Sequence, residues 1–393
     1  MENEMKNTVV AGHICLDIIP AFFGDAHFAP GQLIEIDKAV LATGGAVSNT
    51  GISLHKLGIP VTLLGKIGND FFGKGIKEVL SKYGEHLAGG LIIDENTNSS
   101  YTIVISPPNT DRTFLHSPAA NHTFVASDVK NEALENVRLF HFGYPSLMKS
   151  MYQNGGKESE ILFRNVKNKG ITTSLDMSFP DPTTEAGKLD WNLWFAQVLP
   201  YIDIFMPSIE ECLFMTNKSR YNMLQSKEHD ILRLINGEIL RDTAEGLLNF
   251  GCAIVVLKLG ERGLYIRTTD RKERLKNIGV CSPQDIELWK SRELYIPCFD
   301  VNVVGTNGSG DCTIAGFLAA FLRELPPEEC IRSAVAVGAC NVEAPDAVSG
   351  IKNWEDTQAR IHSGWKPKSM TIPLTGWTEH GTYYSGPYDR KEA

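Results

Sequence analysis

Short apolar, β-rich runs alternate with helix-length segments through most of this 393-residue chain. No other feature constrains the fold as much: it is the pattern of an α/β protein with a doubly wound, mostly parallel sheet flanked by helices. Thr8–Ala11 reads as the first strand. Val61–Lys66, Leu139–Phe142, Ile171–Leu175, Ile202–Met206 and Ala253–Leu257 read as further buried strands. In such sheets ligands gather beyond the carboxyl ends of the strands, so polar residues that closely follow a strand are the first candidates for function.

Two stretches break the alternation. Tyr101–Ser106 and Arg112–His116 are strand-like and flank Pro107-Pro108-Asn109-Thr110-Asp111, a strong turn signal, so they read as an antiparallel hairpin. The Phe22–Ile36 region is expected to add strands beside it. The result would be a small antiparallel β lid built from about residues 15–36 and 98–120, within one domain spanning 8–366. Residues 367–393, rich in Gly, Pro, Thr and Tyr, form a tail that either packs on the domain or is partly disordered.

Composition excludes several classes. The net charge of −9 and the lack of a dense Lys/Arg cluster argue against a nucleic-acid partner. The longest apolar stretches, such as Ile314–Leu322, fall far short of the roughly 20 residues a membrane span needs. The eight cysteines have no Cys-x-x-Cys spacing and no accompanying His cluster, so they read as reduced, packed thiols. Met1–Thr8 is polar and unlike a signal peptide, and a cytoplasmic location is expected.

The chemistry concentrates in Gly305-Thr306-Asn307-Gly308-Ser309-Gly310-Asp311. It follows Val301–Val304 and opens a helix expected over Cys312–Arg323, with Ile314, Phe317, Leu318, Phe321 and Leu322 on its buried face. A glycine-rich turn opening a helix leaves unpaired amides and the positive end of the helix dipole converging on one point, which suits a phosphoryl group in transit. Asp311 would repel that group, so it needs a reason to be there. Two are open: it is a general base for an attacking hydroxyl, or it is merely a helix N-cap.

Gly44-Gly45-Ala46-Val47-Ser48-Asn49 is a second constellation, in which paired glycines allow close approach of a ligand and Asn49 can bond to hydroxyls. Asp17, a few residues past the first strand, suits paired sugar hydroxyls, although a surface loop acid is the commoner case. Gly68-Asn69-Asp70-Phe71-Phe72-Gly73-Lys74-Gly75 nearly fits a P-loop, but Gly75 replaces the hydroxyl residue and two Phe would crowd the phosphates. No G-x-G-x-x-G, H-E-x-x-H or G-x-S-x-G occurs, which weighs against dehydrogenases, metalloproteases and serine hydrolases.

Taken together and in order, these segments resemble the ribokinase-like (PfkB) family of carbohydrate and nucleoside kinases. Gly44–Gly73 is similar to its N-terminal signature and Val304–Phe317 to its C-terminal one, usually written D-T-x-G-A-G-D. Phe205-Met206-Pro207-Ser208-Ile209-Glu210-Glu211 resembles its N-x-x-E magnesium segment, and Leu257-Lys258-Leu259-Gly260-Glu261-Arg262-Gly263 its nucleotide-side strand and turn. The likeness runs from about Val9 to Ile351. It implies a ribokinase-like fold and a MgATP-dependent kinase acting on a primary alcohol of a sugar, with no membrane or nucleic-acid partner and a homodimer formed through the lid. By the same resemblance Asp311 would be the base, and the amides of Gly308, Ser309 and Gly310 the anion hole. Asp17, Gly44, Gly45, Asn49 and Asn121 would hold the sugar. Lys258, Gly260, Gly263, Thr306 and Asn341 would line the ATP side, and Glu211 would act on Mg²⁺ through water.

Three departures concern supporting residues. Gly305 stands where the family has Asp, which leaves a potassium requirement open. Ser208 replaces the Asn of N-x-x-E, and Asp176-Met177-Ser178-Phe179-Pro180 resembles D-x-N-x-R without its Asn and Arg. Two alternatives follow: a nucleoside kinase of the same fold, with Phe22, Phe23 or Phe28 stacking a base, and a catalytically silent sugar-binding regulatory protein.

Overall fold

The computed structural model describes residues 7–24, 28–107, 113–369 and 372–390. Among these the strands, in chain order, are β1 (Asn7–Gly12), β2 (Cys15–Pro20), β3 (Ala39–Gly44), β4 (Val61–Gly68), β5 (Ile92–Asp94), β6 (Tyr101–Ile105), β7 (Thr113–Ser117) and β8 (Val137–Gly143). They continue with β9 (Thr172–Asp176), β10 (Ile204–Phe205), β11 (Ile254–Lys258), β12 (Leu264–Thr268), β13 (Glu293–Ile296), β14 (Thr378–Glu379) and β15 (Tyr384–Ser385). The main sheet runs β14-β15-β13-β12-β11-β10-β9-β8-β1-β4-β5. It is parallel from β11 to β5 and antiparallel from β11 to β14.

Most of the parallel strands are rich in apolar residues because both faces of the sheet are covered, although β9 buries Thr172, Thr173 and Ser174. Neighbouring residues of one strand serve opposite cores. Val9 and Val255 join a cluster with Phe142, Phe163 and Trp194, while Val10 and Val256 join one with Leu63, Phe317 and Val337. Helices Ser309–Phe321 and Pro327–Val342 meet closely, since a Cβ on Gly316 would come within 2.8 Å of the Ser333 carbonyl oxygen. Among the described residues no helix is long and apolar enough to cross a membrane. All eight cysteines are free thiols.

The parallel strands β1, β8, β9 and β11 end along one edge, and there the chain is packed without slack. Gly12 and Gly143 are register partners, and a Cβ on Gly12 would lie 2.3 Å from the Gly143 carbonyl oxygen. A Cβ on Gly143 would lie 2.0 Å from that of Ala46, the first residue of helix Ala46–Lys56.

The small sheet has the order β3-β2-β6-β7, antiparallel at both outer pairs and parallel between β2 and β6. Its outer strand differs from expectation: residues 28–38 contain no strand, and the partner of β2 is β3 at Ala39–Gly44. The apolar Ala39-Val40-Leu41-Ala42 run leads straight into the Gly44-Gly45 turn, so the lid and the glycine constellation are one element. Most of the expected Pro107–Asp111 turn, and Arg112, lie outside the described residues.

The near-miss P-loop is a fold clamp. Asp70 caps helix Phe71–Ser81 by accepting from the Gly73 amide (2.7 Å), and also accepts from the amide (2.8 Å) and hydroxyl (2.6 Å) of Ser99. Farther on, β14 and β15 extend the main sheet beyond β13. Asp389 accepts from the Arg292 Nε at 3.0 Å and the Glu293 amide at 2.8 Å, so residues 378–390 are packed along the sheet edge.

Candidate active site

Helix Ser309–Phe321 begins three residues earlier than its sequence pattern suggests, because Gly308 takes a left-handed conformation (φ 66°) and serves as its N-cap. Asp311 is therefore the third helical residue, and the capping alternative fails. Its carboxylate turns away from its own amides and accepts from Asn49 Nδ2 (3.0 Å), the Tyr144 hydroxyl (2.8 Å) and Thr50 Oγ1 (3.4 Å). It is 3% exposed. Burial raises the Asp311 carboxyl above its ordinary range, opposed by the Asn49, Tyr144 and Thr50 donors and by the Lys258 charge. The result is a buried carboxylate held by three hydrogen-bond donors.

Beside it the first-turn amides of Gly310 and Asp311 have no hydrogen-bond partner among the described residues, while that of Ser309 makes a long 3.4 Å bond to Thr306. Lys258, at the end of β11, runs along this turn: a Cβ on Gly310 would lie 3.7 Å from its Nζ. Its ammonium bonds Asp176 Oδ1, at the end of β9, at 2.6 Å. Burial works against the charged lysine, but Asp176, Glu211 and Asp311 outweigh it and hold the Lys258 pKa above normal.

On one side of Asp311 lies a cleft of about 260 Å³. Its lining combines the apolar Phe299, Val301, Val303, Val335 and Val342 with Lys258, Thr306, Ser309 and Gly310. An apolar cleft that also reaches a lysine and a helix terminus fits a nucleotide, its phosphates toward that terminus. Gly260 (φ 56°) and Gly263 (φ 108°) both line it. Asn341 does not: it is fully buried, its Nδ2 donating to the carbonyls of Ala347 (2.7 Å) and Asp346 (3.4 Å). Helix Pro327–Val342 faces the cleft through Val335, Gly338, Ala339 and Val342 instead.

On the other side is the lid. Asp17 of β2 lies against Gly44, where a Cβ would come 2.4 Å from its carboxylate, and Gly45 (φ 88°) is the N-cap of helix Ala46–Lys56. Asn121 faces elsewhere. Its amide clamps the backbone of Ile14, accepting from N at 3.2 Å and donating to O at 2.9 Å, and it is fully buried. It thus fixes the β1–β2 connection rather than opening toward a ligand. Phe22 and Phe28 pack edge to face at 6.5 Å, and Phe23 is exposed.

Polar contacts that sequence reasoning missed, joined by a ring contact, run from the lid toward Asp311. Thr102 Oγ1 lies 3.0 Å from His116 Nδ1, and His116 Nε2 lies 3.2 Å from Nε2 of the buried His13. The His13 ring is 6.0 Å from that of Tyr144, whose hydroxyl reaches Asp311. Tyr144 adopts φ 65°, an outlying conformation for an aromatic residue and one that clusters at functional sites. Both His13 and Tyr144 immediately follow parallel strands, the position from which ligand-facing residues come, and that was the available signal.

Burial is the main cause that lifts the Asp17 carboxyl to about 6, against the Cys15 and Thr102 donors. A raised carboxyl disfavours the folded state above pH 6, and the penalty fades as pH falls toward the ordinary value. Asp17→Asn is therefore expected to raise the melting temperature at pH 7–8, with the gain closing near pH 4, while weakening acceptor binding. Thermal melts across that range check it.

Glu211 is engaged as the third residue of helix Ile209–Thr216. Its Oε2 accepts from the Ser208 amide (2.7 Å), and Ser208 Oγ accepts in return from the Glu211 amide (3.2 Å). Ser208, where an Asn was expected, is thus an N-cap. Asp176, Glu211 and Asp311 outnumber the single Lys258 among them, and Asp176 Oδ2 is buried without a partner. A divalent cation fits that surplus of negative charge. Among the described residues no three His, Cys, Asp or Glu side chains converge to hold an ion alone, so phosphate oxygens and water would complete its shell.

Comparison with known proteins identifies the family. A probable fructokinase of Arabidopsis thaliana is 24% identical over 380 residues, covering 91% of this chain and 99% of its own length. The fold matches an ATP-bound fructokinase from Xylella fastidiosa with a TM-score of 0.68 at 17% identity, over 91% of this chain and 99% of that one. It also matches a putative ribokinase II from E. coli in complex with ATP and Mg²⁺, with a TM-score of 0.66 at 19% identity, over the same shares of both chains. The profile of the pfkB family carbohydrate kinases matches residues 5–354. The chain belongs to the pfkB family of carbohydrate kinases.

Proposed function

We propose that this carbohydrate kinase transfers the γ-phosphoryl group of MgATP to a hydroxyl of a ketose such as fructose, with Asp311 as general base. The observation that carries the reading is the position of Asp311: a buried carboxylate at a glycine-launched helix terminus, with the amphipathic cleft on one side and the lid on the other. Asp17 and Asn49 orient the acceptor's hydroxyls, and Asp311 takes the proton as the acceptor oxygen attacks. The amides of Gly310 and Asp311, unpartnered among the described residues, with those of Gly308 and Ser309 beside them, and the Lys258 ammonium stabilise the negative charge of the group in transit. The small sheet shields the reacting atoms from water. Bound Mg²⁺, approached by Asp176 and by Glu211 through water, would neutralise phosphate charge. The names of the fructokinases above support the ketose; the retained Asp311 favours an active enzyme over a silent binding protein.

ADP release from MgATP over a panel of ketoses, aldoses, polyols and nucleosides tests the proposal. The expected result is strongest stimulation by a ketose, and a panel without any stimulation would sink it. Equal rates are expected in sodium and potassium buffers. A side chain at Gly305 would lie 2.9 Å from the carbonyl oxygens of Ala344 and Pro345, which leaves no room for the acid usual at that position.

A further inference from the structure

The family match ends at residue 354, yet the nucleotide-shaped cleft is not finished there. Residues 365–368 run antiparallel to 298–300, the segment that forms one wall of the cleft. The Asp300 amide donates to the Lys366 carbonyl (3.0 Å), the Lys368 amide to the Cys298 carbonyl (2.7 Å), and Phe299 bridges Pro367. The Trp365 indole N–H donates to the Asp300 carbonyl at 3.1 Å, and its ring stacks on Phe299 at 4.4 Å and 16°. Arg360 lies over the other face of Trp365 at 3.7 Å and is anchored by a two-pronged pair to Glu343 at 2.5 and 2.8 Å. Phe299, the cleft's large aromatic wall, is therefore held from behind by a residue outside the family match.

The same segment brings a cation to the cleft. Lys368 lines it, with 29% of its side chain exposed. Its ammonium lies 3.7 Å from Glu261, beyond hydrogen-bonding distance, and Glu261 is 73% exposed. The other lysine of the cleft, Lys258, is engaged by Asp176. Among the described residues no hydrogen bond takes up the Lys368 ammonium, and an anionic ligand suits its donors.

We infer that Lys368 binds a phosphate oxygen of the nucleotide and that Trp365 is a positioning residue that holds Phe299 against its base. This rests on reading the cleft as the nucleotide site. Titration calorimetry of the full chain with ATP, ADP and adenosine separates the possibilities. Lys368→Met is expected to weaken ATP and ADP by about 10-fold, the size of a partly exposed charge-assisted contact, and to leave adenosine unchanged. Trp365→Ala is expected to weaken all three and Trp365→Phe to restore them. An ATP Kd within twofold of wild type for Lys368→Met, or an equal loss for adenosine, would overturn the lysine's role. An adenosine Kd unmoved by Trp365→Ala would overturn the tryptophan's. Wild-type protein that binds none of the three would remove the cleft reading and this inference with it.

Discussion

Asp311→Asn is expected to lower kcat by about 10²–10⁴-fold, the range for loss of a positioned general base, with little change in ATP binding. Asparagine keeps the shape and its one amide oxygen can still accept from Tyr144, with its Nδ2 left facing Asn49, but it cannot take the acceptor's proton. Near-full activity of the variant on the best substrate would show that the proton leaves by another route. Tyr144→Phe makes a useful companion. The Tyr144 hydroxyl stabilises the ionised Asp311 by donating to it at 2.8 Å. Its removal makes the carboxylate easier to protonate, so the acid limb of the kcat/KM profile moves to higher pH. A merely structural tyrosine would lower activity without moving that limb.

The second large effect is expected at Lys258. Its ion pair with Asp176 is nearly inaccessible, with side-chain exposures of 13% and 1%. Lys258→Met leaves Asp176 buried and unpaired, and breaking a buried pair in this way costs about 3–5 kcal/mol. The double variant Lys258→Met with Asp176→Asn removes both charges and is expected to recover most of that stability in denaturant melts. It is not expected to recover activity, because the cation beside the Gly310 turn and the carboxylate proposed to approach Mg²⁺ are both gone. Stability and turnover recovering together would mean that Lys258 serves only the fold.

Much of this arrangement was legible in the sequence, for a physical reason. Strands buried on both faces are mostly apolar, so β1, β4, β8 and β11 announced themselves, as did the glycine turn at 305–311, while β9, with Thr172, Thr173 and Ser174, carries a weaker signal. The small sheet was harder. Its strands are half-buried and partly exposed, and the exposed Val40 and Leu41 of β3 carry no clean alternation. Asn121 and Asn341 show a different limit. An amide can equally hold a ligand or a neighbouring backbone, and only the fold decides that both hold backbone. Tyr144 and His13 were passed over because neither belongs to a glycine-rich motif, although each sits directly after a parallel strand.

The contact of Gly12, Gly143 and Ala46 bears on how this enzyme can change. Asn49 is carried by the helix that starts at Ala46, and Tyr144 follows Gly143, so two of the donors to Asp311 are aimed by backbones that already touch. With no spare volume beneath them, even one added methyl group would be transmitted as misalignment of the carboxylate's partners rather than absorbed by repacking. Variation that redirects the enzyme to another acceptor therefore has room in the lid and almost none in this floor. A mutagenesis library aimed at new substrates should diversify β2, β3, β6 and β7 and leave the floor untouched.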